Sequence, residues 1–419
     1  MTYAEAVQFV HSRLTFGSRP GLRSIRRITS LCGSPERGMR FLHVAGTNGK
    51  GSVCTMLSAM LTAAGYKTGL YTSPFVVDFR ERFQVDGRMI SRKAFVSLVE
   101  RLKPLVERLD GEGTVVTEFE LVTAIAFLWF REEGCDYVVL EVGLGGRFDA
   151  TNVIEDPVCS ILTHIDLDHT RLLGETYAAI AAEKCGIVKP GCPVVSYPDQ
   201  HPEAMAVIRA TAQERGCPLT VAPLLPATCG PDGSDAIWNN IPLRIGLIGE
   251  HQVKNAATAL AVAEQLKLPT EAIRSGLASA FIPARQEILC RQPLVMLDGA
   301  HNPDGIAALA ENLRRLCDRR PTLILGMLGD KDYEKSASLL ATLCDHVITL
   351  RVPNPRTLTA AALAKAVRPH CGDVTAARSY RQALSLAREK AQGAPVIVAG
   401  SLYLASGIRP HLLQWVKTL

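Results

Sequence analysis

The chain reads as an α/β protein, and two observations carry that reading. Short apolar, β-branched runs alternate with segments of helical period along most of its 419 residues, the pattern of βα units on a mainly parallel sheet. One such run, Phe41 to Ala45, passes directly into a glycine-rich turn and then an amphipathic segment. In the first part of the chain, strands are expected at Phe41 to Ala45, Thr68 to Tyr71, Tyr137 to Val142, Cys159 to Thr163 and Pro193 to Ser196, each a short run dominated by apolar residues. Helices are expected at Ser52 to Ala64, Phe119 to Glu132, Tyr177 to Lys184 and Pro202 to Arg215, where the pattern lengthens to helical period. A second series of strands, at Leu294 to Leu297, Thr322 to Leu325, His346 to Leu350 and Pro395 to Ala399 with helices between them, forms a separate, smaller α/β unit. The stretch Ile282 to Pro293 carries two prolines and falls between the two series, so the linker is expected there, dividing the chain into residues 1–284 and 285–419.

Composition excludes several classes. Hydrophobic residues make up 47% and charged residues 21%, the mix of a folded globular protein rather than a disordered, collagen-like or coiled-coil one. The longest apolar stretch, Leu121 to Phe130, is far too short to span a bilayer, and Met1 to Val10 has neither a basic n-region nor an apolar h-region. No membrane and no secretion are expected. Lys plus Arg number 46 against 41 Asp plus Glu, a formal charge of +5. That surplus is too diffuse to imply nucleic acid but suits anionic small substrates. The 12 cysteines include no CxxC pair. They are expected to be reduced and mostly buried, which points to a cytoplasmic address.

The chemistry begins at Gly46-Thr47-Asn48-Gly49-Lys50-Gly51-Ser52, which follows a strand and opens a helix, the order of a P-loop. Glycines let backbone N–H groups turn inward around phosphate oxygens, and the helix N-terminus adds a favourable dipole. Lys50 would meet the phosphates and Ser52 a Mg²⁺ ion. The spacing departs from GxxxxGK[ST], because Gly51 separates Lys50 from the hydroxyl residue. A second strand ends in Glu141-Val142-Gly143, placing a carboxylate at the edge where an open α/β sheet binds ligands; Glu141 is either a Mg²⁺ ligand or a surface glutamate at a strand end. A third leads into His164-Ile165-Asp166-Leu167-Asp168-His169, in which one histidine coordinates metal as neutral imidazole or both are structural. By residue type alone, Lys184 is an exposed helix lysine.

Taken together, the loop 46–52, Tyr71-Thr72-Ser73-Pro74, Thr117-Glu118-Phe119-Glu120 and the run 141–152 resemble the folylpolyglutamate synthase and dihydrofolate synthase family. The likeness continues through Asp168-His169-Thr170, Glu183-Lys184-Cys185-Gly186, Asn255-Ala256-Ala257, Asp298-Gly299-Ala300-His301-Asn302-Pro303, Gly326-Met327-Leu328 with Asp330-Lys331-Asp332, and Gly400-Ser401, so it covers nearly the whole chain. The resemblance implies an ATP-dependent amide ligase related to the Mur ligases, with an N-terminal P-loop domain and a C-terminal Rossmann-like domain. Two departures stand out. Arg23-Ser24 replaces the family's Glu-Arg, and Pro283-Ala284-Arg285 replaces its Pro-Gly-Arg, removing a glycine where a bend is wanted.

The same resemblance implies roles for individual residues. Ser52, Ser73, Glu141 and His169 match positions that hold two Mg²⁺ ions, while His164 remains structural. Lys184 matches a lysine that becomes carbamylated by CO₂, giving a carboxylate for the second metal. Thr47, Asn48, Gly49, Lys50, Gly51 and Ser52 with Asn255, Arg285 and Asp298 would contact ATP, and His301 sits with Lys50 and Lys184 among the catalytic residues. For the pterin the pattern points to Arg19, Pro20, Gly21 and Leu22, to Thr117, Glu118, Phe119 and Glu120, and to Phe148, Asp149, Ala150, Thr151 and Asn152. The implied reaction adds L-glutamate to dihydropteroate and to tetrahydrofolate or folylpolyglutamates, through an acyl phosphate made from ATP, in a monomeric enzyme. Polyglutamylation alone, another Mur-type ligase and a P-loop module without ligase chemistry are the alternatives. No UDP-binding domain fits before Gly46, and the Lys184 and Asp298 to Pro303 motifs argue against a bare P-loop module.

Overall fold

The structure, a computed structural model, describes residues 1–16, 21–329 and 333–418. Among these residues the strands, numbered in chain order, are β1 (Phe41–Ala45), β2 (Thr68–Tyr71), β3 (Phe83–Val85), β4 (Arg88–Met89), β5 (Tyr137–Glu141), β6 (Cys159–Leu162), β7 (Val194–Ser196), β8 (Leu219–Val221), β9 (Ala227–Gly230), β10 (Gly233–Trp238), β11 (Ile241–Ile245), β12 (Glu287–Arg291), β13 (Leu294–Leu297), β14 (Thr322–Leu325), β15 (His346–Thr349), β16 (Asp373–Ala376) and β17 (Val396–Ala399). They form three sheets: an eight-stranded one in the order β4-β3-β2-β5-β1-β6-β7-β8, a three-stranded one, β11-β10-β9, and a six-stranded one, β12-β13-β17-β14-β15-β16.

The first sheet is parallel from β2 to β8, with β3 and β4 added antiparallel at one edge. Its central strand β1 is buried at every position, as expected of a parallel strand covered on both faces. One face packs on the apolar helix Glu118–Glu133 together with Tyr3–Ser12, Arg23–Leu31 and Arg92–Gly111. The other packs on Lys50–Ala63, Glu250–Gln265 and Thr270–Ser279, and on the small antiparallel sheet. Every strand expected from the first part of the sequence is present. The N-terminal helices, the β3–β4 hairpin and the β9–β11 sheet were not expected. Their segments are short or mixed in polarity, and tertiary contact decides their form.

The C-terminal sheet is parallel except at β12, with helices on both faces. The expected linker needs correction. Residues Glu287–Arg291 are a strand, and Pro293 lies in the turn that returns the chain antiparallel into β13. The connection between the sheets is therefore the shorter stretch after Ser279, the end of the preceding helix, and before Glu287. Proline marks a hairpin turn as readily as a linker, so composition alone could not separate them. Ala284, where the resemblance expects glycine, adopts φ +54 with its methyl fully buried. Gly299 N–H donates to its carbonyl at 2.7 Å, and its own N–H donates to Glu287 Oε2 at 3.0 Å, so hydrogen bonds hold the bend that glycine would otherwise make easy.

Candidate active site

A cavity of about 860 Å³ opens where the C-terminal ends of β1, β5 and β6 meet the C-terminal sheet. Its centre is the loop after β1. Gly46 has no room for a side chain, since a Cβ there would fall 1.8 Å from Thr163 Oγ1. Gly49 needs glycine twice over: its φ is +85, and a Cβ would fall 2.2 Å from Asn255 Oδ1. The loop is pinned to the neighbouring strand end by Thr47 N–H and Asn48 N–H, which donate to His164 O at 2.7 and 3.2 Å, and by Thr163 Oγ1, which donates to Asn48 O at 2.8 Å. The helix starts at Lys50, two residues earlier than the pattern suggests, with its N-terminus turned into the cavity. Lys50 Nζ donates to Gly46 O and Thr47 O at 3.0 and 3.1 Å.

Glu141 closes β5 and is buried. Its Oε2 accepts Ser73 N–H at 2.9 Å. Burial pushes its carboxyl above the usual range, opposed by the charge of Lys50 and the Ser73 hydrogen bond. Among the described residues no basic side chain comes within ion-pair distance of it. A buried carboxylate in that state, beside the hydroxyls of Ser52 and Ser73 at the same cavity, is an all-oxygen donor set that fits a hard dication such as Mg²⁺. His169 lines the cavity at a half-exposed position with φ +51, its Nε2 3.9 Å from Asp168 Oδ2.

Lys184 corrects the exposed-lysine reading. It is buried, and its Nζ donates to Gly46 O at 2.8 Å, so it reaches the phosphate loop from beneath. Burial, with a smaller contribution from the Lys50 charge, lowers its pKa to about 7. From the other sheet come Asp298, whose carboxylate accepts Gln286 N–H at 2.8 Å and Ala300 N–H at 2.5 Å, and His301, whose Nδ1 lies 3.0 Å from Gly299 O and so carries the proton there. Burial raises the Asp298 carboxyl against the nearby Arg285 charge. Arg285 and Asn255 also line the cavity, Asn255 with its Nδ2 3.1 Å from Gln252 Oε1.

The residues expected to meet the pterin divide. Glu118 lines the cavity, beside His11 at 3.3 Å. Thr117 and Glu120 form a reciprocal cap on the helix Glu118–Glu133, and Phe119 packs edge-on over Gly143 and near Tyr71. Asp149 is buried and accepts from Leu144 N, Thr151 N and Thr151 Oγ1 at 2.9, 3.0 and 2.6 Å. Thr151 Oγ1 in turn meets His43 Nε2 at 2.9 Å, and Asn152 Nδ2 holds the carbonyls of Arg147 and Gly186. These three side chains, with buried Ala150, organise the loop after β5 rather than line the cavity, and Phe148 stands exposed beside them. Gly21 and Leu22 lead into the helix Arg23–Leu31, away from the cavity lining, and Arg19 and Pro20 lie outside the described residues.

Three cavity groups, Asp304, His251 and Arg82, carried no signal in the sequence. Asp304 Oδ2 accepts Asn48 Nδ2 at 2.5 Å and lies 3.3 Å from His164 Nδ1, while Asn302 Nδ2 donates to Asn48 Oδ1 at 3.2 Å. These bonds tie the phosphate loop to the C-terminal sheet. Burial raises the Asp304 carboxyl, but the His164 contacts and Asn48 outweigh it and hold it below its ordinary value. His251, half-buried at the cavity wall, has its pKa pushed down to about 4 by desolvation. Arg82 enters from the β3 edge. Asp304 lies far along the chain from the phosphate loop that it joins.

Comparison with known proteins places this geometry. Residues 44–263 match the Mur ligase middle domain and residues 284–402 the Mur ligase glutamate ligase domain. The chain is 37% identical, over 98% of its length and 99% of the relative's, to a Bacillus subtilis (strain 168) protein named dihydrofolate synthase/folylpolyglutamate synthase. It superposes with a TM-score of 0.90 at 32% identity on Mycobacterium tuberculosis folylpolyglutamate synthase complexed with ADP and AMPPCP, covering 98% of this chain and 99% of that one. A structure described as an FPGS–AMPPCP–folate complex aligns with a TM-score of 0.84 at 36% identity, covering 99% of this chain and 100% of that one.

Proposed function

This chain belongs to the Mur ligase family, among the dihydrofolate and folylpolyglutamate synthases, and from that premise we propose that it joins L-glutamate to dihydropteroate and to reduced folates at the cost of ATP. It is an ATP-dependent ligase that forms amide bonds. The observation that carries the substrate reading is the meeting of Lys50, Glu141 and Lys184 around one glycine loop, with Asp298 and His301 from the second sheet at the same cavity, whose lining also includes Leu14, Phe75 and Val76.

A carboxylate is a poor electrophile, so one of its oxygens must become a leaving group before an amine can displace it. The loop amides and Lys50 hold the nucleotide phosphates and balance the charge that spreads over the transferred phosphoryl group. Asn255, Arg285 and Asp298 hold the rest of the nucleotide. The acceptor carboxylate takes the γ-phosphoryl group, and the glutamate amine then attacks the acyl carbon and expels phosphate. Ser52, Ser73, Glu141 and His169 would hold Mg²⁺, with a carbamate on Lys184 completing a second site. Bound there, the ions would supply positive charge to phosphate and carboxylate oxygens. The Asn48, Asp304 and His164 contacts draw the C-terminal sheet onto the phosphate loop, which excludes water from an acyl phosphate that would otherwise hydrolyse. Among the described residues no helix is long and apolar enough to cross a membrane. We read the enzyme as a cytoplasmic monomer.

The test is glutamate-dependent ADP release by purified protein with Mg²⁺ and ATP, with dihydropteroate and tetrahydrofolate as separate acceptors and products identified by mass. Glutamylation of both is expected. Glutamylation of tetrahydrofolate alone would leave a polyglutamylating enzyme, and of neither would move the search to another Mur-type acceptor.

A further inference from the structure

Several arginines shielded from solvent are paired with carboxylates. Arg13 meets Asp110 at 2.7 Å, Arg80 meets Asp78 at 2.7 Å, and Arg409 grips Glu287 through two nitrogens at 2.6 and 2.9 Å. Arg82 is not. Its guanidinium lies 5.5 Å from the ring centroids of both Phe75 and Phe79, and its Nε, shielded from solvent, donates to no acceptor. Among the described residues no carboxylate comes within ion-pair distance of it. An N–H left unpaired in an apolar setting is costly unless an anion completes it, and a guanidinium presents its donors in a fork matched to a carboxylate.

Its place is as informative as its state. Arg82 O accepts Thr72 N–H at 3.3 Å, which seats the residue next to Ser73. The side chain lines the same cavity as Lys50, Ser52 and Glu141, where the phosphoryl group moves, and as Leu14, Phe75 and Val76, an apolar wall; it lies 5.5 Å from the Phe75 ring and its charge acts on Glu141. An acceptor lying along that wall presents its reacting carboxylate to Lys50 and Glu141. Dihydropteroate ends in that one carboxylate. A glutamate-tailed acceptor brings two, and the one that does not react must be placed within a few bonds of the one that does.

We propose that Arg82 holds the non-reacting carboxylate of the terminal glutamate on a glutamylated acceptor, and so sets the preference for folates over dihydropteroate. The proposal rests on the acceptor reading above and adds a residue that distinguishes the two acceptors. Its Nε is already shielded from solvent and its guanidinium lies against Phe75 and Phe79, so less is lost on engagement than for a free side chain.

The test compares wild type, Arg82→Gln and Arg82→Lys in steady state with dihydropteroate, tetrahydrofolate and L-glutamate varied in turn, alongside equilibrium binding of tetrahydrofolate followed by protein fluorescence. Loss of one charge-assisted bidentate contact should raise the tetrahydrofolate-to-dihydropteroate KM ratio by about tenfold in Arg82→Gln, with Arg82→Lys intermediate and tetrahydrofolate binding weakened in parallel. Equal losses on both acceptors would overturn the proposal and assign Arg82 to the reacting carboxylate they share. A change confined to the KM for L-glutamate would overturn it in favour of the incoming amino acid. If the wild-type protein glutamylates neither acceptor, the acceptor reading fails, an outcome separate from either of these. Circular dichroism of both variants excludes unfolding as the cause.

Discussion

Lys184 offers the sharpest test of how burial creates chemistry here. Carbon dioxide reacts with neutral amines, and an ordinary lysine is neutral in only about 4 parts in 10,000 at pH 7. Burial beside Lys50 brings the Lys184 pKa from 10.5 to about 7, so about half of the molecules carry a neutral amine at that pH, an increase of about a thousandfold. The site is thereby prepared for carbamylation under conditions where surface lysines are inert. Lys184→Ala should reduce glutamate ligation by several orders of magnitude, with partial recovery in formate or acetate, whose carboxylates can occupy the space left behind. Lys184→Met, which keeps the volume, should be equally inactive but show no recovery. In ¹³C-bicarbonate, wild type should show one carbamate resonance that both variants lack. Because the native pKa lies below the unfolded one, the folded chain holds fewer protons between about pH 7 and 10.5, and this group makes stability rise with pH across that window. Lys184→Met should flatten that rise in urea titrations. Full activity of the alanine variant, or a catalytically competent wild type with only bare amine, would refute the reasoning.

Two further outcomes follow from the geometry. Gly49→Ala must place a Cβ at φ +85 and displace the Asn255 side chain; the backbone alone should cost about 1–2 kcal/mol, and titration calorimetry with a non-hydrolysable ATP analogue should show weakened binding, whereas wild-type stability and affinity together would refute the packing described here. His43 is held neutral by burial, its pKa pushed down to about 3, so the unfolded chain binds the extra proton and stability should fall as pH drops below about 6.5, by up to about 1.4 kcal/mol per pH unit. Urea unfolding between pH 6.5 and 4.5 should show a shallower fall in His43→Gln, and identical slopes would mean the imidazole is not buried neutral.

Much of the catalytic end was legible because it is local. A strand, a glycine turn and a helix follow one another at 41–64, so residue order alone placed Lys50 and Ser52 at a helix N-terminus, and the carboxylate ending β5 put Glu141 at the same sheet edge. The pterin residues were less legible. Thr117 and Glu120, and Asp149 and Thr151, are short-range pairs whose polar atoms satisfy one another and the backbone, a use that the same residue types share with ligand contact. The linker was drawn too far toward the C-terminus because Pro293 marks a hairpin turn, and composition does not distinguish a turn inside a sheet from a connection between two.

What the sequence by itself determined is the alternation of strand and helix, the phosphate loop and the family likeness, since each depends on spacing along the chain. The tertiary structure alone decided that Lys184 is buried under Gly46, that Asn48 is tied to Asp304 and His164, and that Arg82 stands unpaired between Phe75 and Phe79. Charge state and partnership depend on what surrounds a side chain in space, and the loop that Lys184 reaches lies far from it in the sequence.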